Sequence, residues 1–472
     1  MKSTIRRVAT GAALMGMVAL SAACSTGPDN EDPATGESAS QGTQAITLTS
    51  NAIVGGKNAA EAEWIDEWLI PEFTKMQKDK GVDASVKFEP QGVDDEDYKT
   101  KVALDLSSGK GSDVISLDGI WIGEFAQADY IKPLDEVTDM AADWDGWSQI
   151  PDAVQGAASF EDQRYGIPQG SDGRVIYYNK TLFEEAGLPS DWQPTSWDEI
   201  LDAGRALKKI DGVVPIQLNA GTAMGEATSM QGLLPMLMGT GQRLWEDGKW
   251  AGETQGLTDV LNLYKTIYVD EGLGDPILQQ EAAGRDTSFS EFAAGNIAIL
   301  LEGDYFWRSV INPAEGVGTA PMEDRDEVVG YAKIPSMTAG SGIEGQDFVS
   351  MSGGAARVLN PNSENADLAW ELLAFMNSPE AFEARAAGTL SISPRDDVNE
   401  ELLKSDPMLT FVSEEVLPVT AYRPGLAEYP EVSLSLQQAT LDVVSGTSVE
   451  EASKKYADDL GGIVGADAVM SN

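Results

Sequence analysis

The sequence contains no histidine and a single cysteine, Cys24, among its 472 residues. Without histidine there is no Ser-His-Asp triad, no Cys-His dyad, no HExxH zinc site and no imidazole base near neutral pH. One cysteine excludes an intrachain disulfide and a thiolate metal cluster. The chain also lacks a GxxxxGK[ST] phosphate loop and a GxGxxG motif after a strand. We therefore expect no metal and no cofactor, and carboxylates remain the candidate catalytic groups, as in glycosidases.

Basic residues are scarce. The chain has 32 Lys and Arg against 77 Asp and Glu, for a formal net charge of −45. Such a surface repels phosphate backbones, so nucleic acid is not an expected partner. The acidic excess is spread along the chain, which is typical of a solvated surface rather than a charged tail. With 42% hydrophobic residues, the chain is long enough for one large or two ordinary α/β domains.

Residues 1–23 have the pattern of a secretory signal peptide. Positive charges come first, and the apolar segment 8–23 that follows is too short to span a bilayer. It ends LSAAC at Cys24, similar to bacterial lipoprotein signals in which this cysteine is lipidated, although the leucine lies one position earlier than usual. An ordinary signal peptide with an incidental Cys24 is the alternative. Residues 24–44 are polar and rich in Gly, Pro and Ser, which predicts a flexible tether.

Strands and helices alternate through the rest of the chain. The predicted elements are the strands ITLTS (46–50), ASVKFE (84–89) and GSDVISLD (111–118), and helices over 59–76, with Pro71 marking a break or a second start, and 97–106. This alternation predicts βαβ units and a mainly parallel sheet, in which ligands bind beyond the carboxyl ends of the strands. Asp118 ends a strand in LDGIW and is therefore a candidate ligand contact. The alternative is a helix cap at Asp118 with Trp121 in the core.

Five segments follow one another in an order typical of one protein family. They are LDGIWIGEFAQADYIKPLDEV, YGIPQGSDGRVIYYNKTLFEEAGLP with PTSWDEI, FAAGNIAILLEGDYFW, SMSGGAARVLNPNSENADLAWELLAFMNSPEA and YRPGLAEYPEVS. Together they resemble the extracellular solute-binding lipoproteins of bacterial ABC sugar importers, in the carbohydrate-binding group that includes maltose and trehalose binders. The resemblance covers nearly everything after the tether.

The resemblance implies an α/β, two-lobe periplasmic-binding-protein-like fold with a hinge and an interlobe ligand cleft. Residues 45–169 plus about 353–393 would form lobe 1, and residues 170–352 plus about 394–472 would form lobe 2. The first crossing between lobes is expected at GIPQGSD and the return at SMSGGA, with a third at SISPR (391–395). Gly353 and Gly354 in the return would absorb dihedral change or let the backbone approach the ligand.

The resemblance also implies ligand contacts. Asp118 and Asp172 match positions where sugar binders place carboxylates, which accept charge-assisted hydrogen bonds from ligand hydroxyls. An aromatic run matches Tyr305 and Trp307, whose rings suit the apolar face of a pyranose; core packing is the alternative for both. Arg423 matches a basic contact. The complete predicted set is Asp118, Trp121, Asp172, Asp304, Tyr305, Trp307, Gly353, Gly354 and Arg423.

The sequence departs from the trehalose-type pattern in three places. Ala355 replaces an aromatic after the Gly-Gly pair, Gly303 replaces a tryptophan between Glu302 and Asp304, and Ala60 takes the place of a glutamate in the first loop. The pocket is therefore expected to lose aromatic surface and gain carboxylate. Neither trehalose nor maltose is carried over as the ligand. A different oligosaccharide, or a sugar with amino or other cationic character, fits this pattern.

The leading hypothesis is the substrate-binding component of an ABC importer. It would be a monomer, lipid-anchored at the extracellular face of the cytoplasmic membrane, that captures an oligosaccharide and delivers it to the permease transmembrane subunits without chemistry. One alternative is a binder of a cationic or amino-bearing solute, such as a peptide or polyamine. Another is a surface glycosidase with Asp118 and Asp172 as acid and nucleophile.

Overall fold

The computed structural model describes residues 43–386 and 390–470. The predicted signal peptide, Cys24 and all but the last two residues of the predicted tether lie outside the described residues. Every helix in the described ranges is too short or too polar to cross a membrane.

Two separate sheets organise the described chain. In spatial order, the first sheet contains Ala84–Pro90, Gln44–Ser50, Val114–Asp118, Ala355–Leu359 and Gly166–Pro168. Its first three strands are parallel, and its fourth is antiparallel to both neighbours. The second sheet contains Val329–Ala332, Arg174–Asn179, Ile297–Gly303 and Val214–Gln217, of which only the last pair is parallel. We call the parts that carry these sheets the first and second lobes.

Both sheets are mixed, so the predicted mainly parallel sheet is wrong. The first three strands follow the predicted alternation and are parallel. Ala355–Leu359, however, enters the first sheet only after the chain has formed the second sheet, and no βαβ crossover sets its direction. Arg174–Asn179 likewise follows a crossing between lobes and is antiparallel to both of its neighbours.

Short strands form three further small sheets. They are Trp245–Glu246, Lys249–Ala251 and Val469–Met470; Ile334–Pro335, Phe348–Met351 and Thr420–Ala421; and Ser159–Phe160 with Gln163–Arg164. The α-helices are Ala59–Trp64, Ile70–Asp79, Asp95–Ser107, Ile122–Gln127, Leu134–Val137, Asp152–Gln155, Lys180–Glu185, Trp197–Leu207, Glu226–Thr228, Leu234–Gly239, Gln255–Lys265, Gly284–Ala293, Arg325–Val328, Ala366–Met376, Pro379–Ala386, Asp396–Leu402, Pro407–Phe411, Tyr429–Val444 and Val449–Val464.

The predicted helix over 59–76 is part of a continuous helical run that ends at Asp79. A π-helical turn, Ile65–Leu69, interrupts its α-helical hydrogen bonding, and Pro71 lies in the first turn after it. Proline is tolerated there because its missing N–H removes no hydrogen bond that the new α-helical segment needs. Trp64 and Phe73 on this run are buried, as the apolar period predicts.

The chain passes between the two sheets at short segments. Residues 169–173 join Gly166–Pro168 to Arg174–Asn179, and residues 352–354 join Phe348–Met351 to Ala355–Leu359. The amide of Ser171 donates to the carbonyl of Ile392 at 3.2 Å, which places the predicted third crossing beside the first. One buried cluster contains Leu48 and Val114 of the first sheet with Val175 and Leu300 of the second, so the core is continuous across the crossings.

Candidate ligand-binding site

Strand ends from both sheets place polar side chains beside the crossings. Asp118 is the last residue of Val114–Asp118, and its Oδ1 accepts the backbone N–H of Ile120 at 3.1 Å. Asp118 therefore caps the helical turn that carries Trp121, as the alternative interpretation expected. The side chain is still 43% exposed. Because a carboxylate offers about four acceptor positions, capping and ligand contact are compatible roles.

Arg423 faces Asp118 from the second lobe. Its Nη2 lies 4.0 Å from Oδ1 of Asp118, and its Nη1 lies 3.2 Å from Oε1 of Glu226. Glu226 also accepts the hydroxyl of Tyr429, and the hydroxyl of Ser433 at 2.7 Å. The Arg423 side chain is only 13% exposed. One guanidinium therefore stands between a carboxylate of the first lobe and a carboxylate of the second.

The charges around Asp118 shift its proton affinity. Burial against the protein raises the pKa of Asp118, the positive charge of Arg423 opposes that rise, and the negative charges of Asp95 and Asp172 add to it. Burial acts to lower the pKa of Arg423, but Tyr429, Glu226 and Asp118 raise it, so the guanidinium stays charged. Asp118 consequently takes up a proton at a higher pH than an ordinary aspartate.

Asp172 lies in the first crossing and bonds to the second. Its carboxylate accepts the backbone N–H of Gly353 at 2.7 Å and the hydroxyl of Ser352 at 3.0 Å. It also accepts Nη1 of Arg174 at 2.8 Å. Three donors leave about one of the four acceptor positions for a ligand. Asp172 therefore joins the two crossings whether or not it also contacts a ligand.

The return crossing contains two adjacent glycines, Gly353 and Gly354. Neither Gly353 nor Gly354 has a positive φ, so no left-handed conformation requires glycine there. The carbonyl of Gly354 accepts the N–H of Gly119 at 2.8 Å, which brings this crossing against the helical turn after Asp118. A Cβ at Gly119 would lie 2.8 Å from that same carbonyl oxygen. A Cβ at Gly354 would lie 3.1 Å from the Cβ of Ala157, whereas a Cβ at Gly353 would meet no atom closer than 3.5 Å. Close packing therefore accounts for glycine at 354 and not at 353.

The EGDYFW segment begins with the last two residues of the second-sheet strand Ile297–Gly303. Asp304 is buried and accepts the N–H of Gly173 at 3.3 Å and Nε of Arg308 at 3.0 Å. Burial raises its pKa, Arg308 opposes the rise and the charge of Asp172 adds to it. Tyr305 is half-buried, with the guanidinium of Arg285 at 5.3 Å from its ring centroid.

Trp307 lies in a different environment from the rest of the predicted set. It is buried, its indole N–H donates to both carboxylate oxygens of Asp406 at 3.1 Å, and the guanidinium of Arg325 covers its ring at 3.8 Å. It lines a cavity of about 360 Å³ with Tyr331 and Pro407, and no other predicted site residue lines that cavity. The structure therefore brings Asp118, Asp172, Asp304, Gly353, Gly354 and Arg423 together around the crossings and places Trp307 elsewhere.

A recess of about 280 Å³ opens beside Asp118 on the first lobe. Trp121 lies on its wall, with its ring centroid 6.3 Å from that of Tyr98. The remaining wall is mostly polar: Ser50, Asn51, Asn58, Glu61, Asp95, Ser116, Leu117, Gln169, Ala355 and Arg385. Such a lining suits a hydroxylated ligand more than an apolar one. A larger cavity of about 800 Å³, lined by helices Asp396–Leu402 and Pro407–Phe411 among others, shares none of these residues.

Sequence reasoning missed two carboxylates here. Glu61 accepts Nη2 of Arg357 at 3.1 Å and Nη2 of Arg385 at 2.8 Å. The resemblance places Ala60 where relatives carry glutamate in the first loop, and a shift of one residue would have found Glu61. Glu226 opens a three-residue helix after a glycine-containing loop, where no periodicity marks it. Its partners come from a distant helix, so only the fold reveals it.

Two lobes joined by short crossings, with polar groups of both lobes facing one another beside them, are typical of binding proteins that close around a ligand. A family model described as bacterial extracellular solute-binding protein matches residues 56–381. The chain belongs to this family. The expected family and the two-lobe α/β fold are confirmed.

Curated relatives are similar over most of the chain. A binding protein of Brucella abortus (strain 2308) is 22% identical over 426 residues, which cover 88% of this chain and 95% of the relative. The arabinooligosaccharide-binding protein of Halalkalibacterium halodurans is 24% identical over 270 residues, covering 55% of this chain and 54% of the relative.

Solved structures share the fold. The sugar-binding protein MalE from Xanthomonas citri superposes with a TM-score of 0.70 at 19% identity, covering 89% of this chain and 97% of that one. The cyclic α-maltosyl-1,6-maltose binding protein from Arthrobacter globiformis gives a TM-score of 0.68 at 19% identity, covering 90% and 100%. At these identities the likeness establishes the two-lobe architecture and leaves the ligand open.

Proposed function

We propose that this protein is the carbohydrate-binding component of an ABC importer, which captures a sugar between its lobes and delivers it to a membrane permease. One observation carries the proposal: Asp118 of the first lobe and Arg423 with Glu226 of the second form a single polar array. A ligand that hydrogen-bonds to both sides has more contacts in the closed state, and only such differential affinity shifts the lobes towards closure.

The chemistry of the array and the relatives both support a sugar. Carboxylates and a guanidinium provide charge-assisted partners for hydroxyls, and the recess beside Asp118 is largely polar. A relative is named for binding arabinooligosaccharide, and structural neighbours are named for sugars. We propose Asp118, Trp121, Asp172, Asp304, Tyr305, Gly353, Gly354 and Arg423 as the site, together with Glu226 and the recess residues Glu61 and Arg385. Trp307 is proposed to stabilise the second lobe instead.

We propose that residues 45–169 with about 353–393 move as one lobe, and residues 170–352 with about 394–472 as the other. The two crossings at 169–173 and 352–354 support these limits. The hydrogen bond between Ser171 and Ile392 supports the third limit.

We further propose that lipidated Cys24 and the tether hold a monomer at the outer face of the cytoplasmic membrane, near its permease. The extracellular family supports an exported protein. Expression with Cys24→Ala tests the anchor: the wild type should incorporate labelled palmitate and sediment with membranes, and the variant should do neither. A wild type that carries no lipid would overturn the anchor without affecting the ligand proposal.

A thermal-shift panel of mono- and oligosaccharides tests the ligand proposal, because a ligand that binds the native state raises the melting temperature by mass action. At least one saccharide should raise it and should bind by calorimetry. Asp118→Asn should weaken that binding, and Asp202→Asn, a matched change at an exposed aspartate that pairs with Arg205, should not. No response to any saccharide would overturn the proposal.

A solute with an amino group is the second candidate. The observation in its favour is that the nearest guanidinium nitrogen to the exposed Asp118 carboxylate lies at 4.0 Å, so a ligand cation could approach it. Amino sugars and polyamines in the same panel distinguish the two proposals. We propose no chemistry on the ligand; new reducing ends after incubation with oligosaccharides would instead favour a glycosidase.

A further inference from the structure

The short helix Ile122–Gln127 contains Gly123, where alanine would favour helix formation by about 1 kcal/mol. Gly123 does not have a positive φ, so its backbone does not require glycine. A Cβ at this position would lie 2.4 Å from the carbonyl oxygen of Gly425 and 2.8 Å from the ring of Phe160. Glycine is needed there because another segment of the chain lies directly against the helix.

That segment is residues 422–426, which we call the strap. The strap leaves the second-lobe strand Thr420–Ala421 and ends at Leu426, which is buried in a core with second-sheet residues. Its Gly425 carbonyl accepts the N–H of Glu124 at 2.7 Å, and a Cβ on Gly425 would lie 3.1 Å from the nitrogen of Gly123. The strap therefore belongs to the second lobe and docks on a first-lobe helix.

Arg423 lies on the docked strap. Arg423 is two residues before Gly425, and among the described residues its only carboxylates within 4.0 Å are Asp118 and Glu226. We propose that the contact between Gly123 and Gly425 positions Arg423 between these two carboxylates, so that a contact between two glycines sets where the positive charge of the binding site lies. The inference deepens the proposed function, on which its consequence for ligand affinity rests.

Charged and titratable groups face this guanidinium on both sides. Asp118 is faced by Arg423 from the strap, by Asp95 from the helix Asp95–Ser107 and by Asp172 from the first crossing. Arg423 is faced by Glu226 and Tyr429 of the second lobe as well as by Asp118. If the strap is displaced, Asp118 keeps two negative neighbours and loses its positive one. Loss of the positive neighbour acts to raise the pKa of Asp118, against the lowering that any loss of burial would bring.

The test uses ligand-free, full-length protein with carbon-13 aspartate labelling, and the Asp118 carboxyl signal is assigned by its loss in Asp118→Asn. Titration should show a higher apparent pKa of Asp118 in Arg423→Gln than in wild type, and a shift in the same direction in Gly123→Ala. The double variant should match Arg423→Gln alone, because a displaced arginine and a missing arginine both deprive Asp118 of the same positive neighbour. The inference is overturned if Asp118 in Gly123→Ala titrates as it does in wild type. It is also overturned if the pKa shifts of the two single variants add in the double variant.

Gly461→Ala is the matched control. Gly461 also lies within a helix, Val449–Val464, but a Cβ at this position would meet no atom within 4 Å, so the titration of Asp118 should match wild type. If Gly123→Ala fails to fold, Gly425→Ala approaches the same contact from the strap and should give the same shift.

Ligand affinity is the second readout. Gly123→Ala and Arg423→Gln should each weaken binding of the saccharide found in the panel by roughly tenfold or more, without adding in the double variant. Equal affinity in Gly123→Ala and wild type would overturn the positioning role. If no saccharide binds wild type, the proposed function fails, and the titration of the ligand-free protein still decides the positioning of Arg423.

Discussion

The carboxylate of Asp172 accepts the backbone N–H of Gly353 at 2.7 Å and so joins the two crossings between the lobes. Ser352 of the second crossing and Arg174, which begins the second-sheet strand after the first crossing, donate to the same carboxylate. Because these bonds link the crossings side by side, the proposed hinge would bend with both crossings moving together.

Asp172→Ala should destabilise the fold as well as weaken ligand binding. The substitution leaves the buried guanidinium of Arg174 without its carboxylate, and breaking such a pair costs about 3–5 kcal/mol. If the remaining acceptor position contacts the ligand, affinity falls by about 1–3 kcal/mol in addition. Urea unfolding and calorimetry measure the two effects. Asp202→Ala, which breaks an exposed pair with Arg205, should change stability by less than about 1 kcal/mol; equal stability losses would contradict the hinge role.

Ligand affinity should fall on acidification through the raised pKa of Asp118. Ligand hydroxyls donate to the ionised carboxylate, so the complex favours the deprotonated form and binding releases a proton. Affinity is then full above the pKa of the free protein and decreases as pH falls through it, beginning above the ordinary value of about 3.9. Calorimetry at a series of pH values measures this affinity, and its decrease at low pH (the acid limb) should be absent in Asp118→Asn. An acid limb that persists unchanged in that variant would assign it to another group.

Glu61→Gln should destabilise the first lobe most at neutral pH. Burial acts to raise the pKa of Glu61, but Arg385 and Arg357 hold it below its ordinary value. A depressed pKa contributes stability above the unfolded-state pKa, and this contribution is lost as pH falls through the folded-state pKa. The variant leaves fully buried Arg357 without a counter-charge, at a cost of about 3–5 kcal/mol. The melting temperature of Glu61→Gln should therefore lie below that of wild type at pH 7, and the two should converge in acid. A difference that stays constant with pH would contradict this role for Glu61.

Trp307→Phe and Tyr305→Leu separate packing from ligand contact. Trp307→Phe removes the hydrogen bond to Asp406, which should cost about 1–2 kcal/mol of stability and leave ligand affinity unchanged. Tyr305→Leu should weaken binding, because it removes a half-buried aromatic ring at the proposed site. Urea unfolding measures the stability of both variants, and calorimetry measures their ligand affinity. Weaker binding in Trp307→Phe would return Trp307 to the site.

Local patterns predicted the elements better than their arrangement. The strands around Leu48, Phe88 and Leu117 follow from apolar periodicity, which is a local property. The direction of Ala355–Leu359 depends on where the chain re-enters the first lobe, and no local pattern encodes that.

In the proposed site, too, residues with a local sequence signal could be predicted and the others could not. Asp118 could be predicted because the end of a strand is itself a positional signal. Glu226 could not, since its partners Tyr429 and Ser433 come from a distant helix. Gly123 carries no sequence signal either, because its importance lies in the strap that packs against it.

Closure of the two lobes around a carbohydrate can be measured by small-angle X-ray scattering of the protein with and without a saccharide that raises its melting temperature. Closure of the lobes over the ligand predicts a smaller radius of gyration in the bound state. Superimposable curves with every saccharide that binds would contradict it.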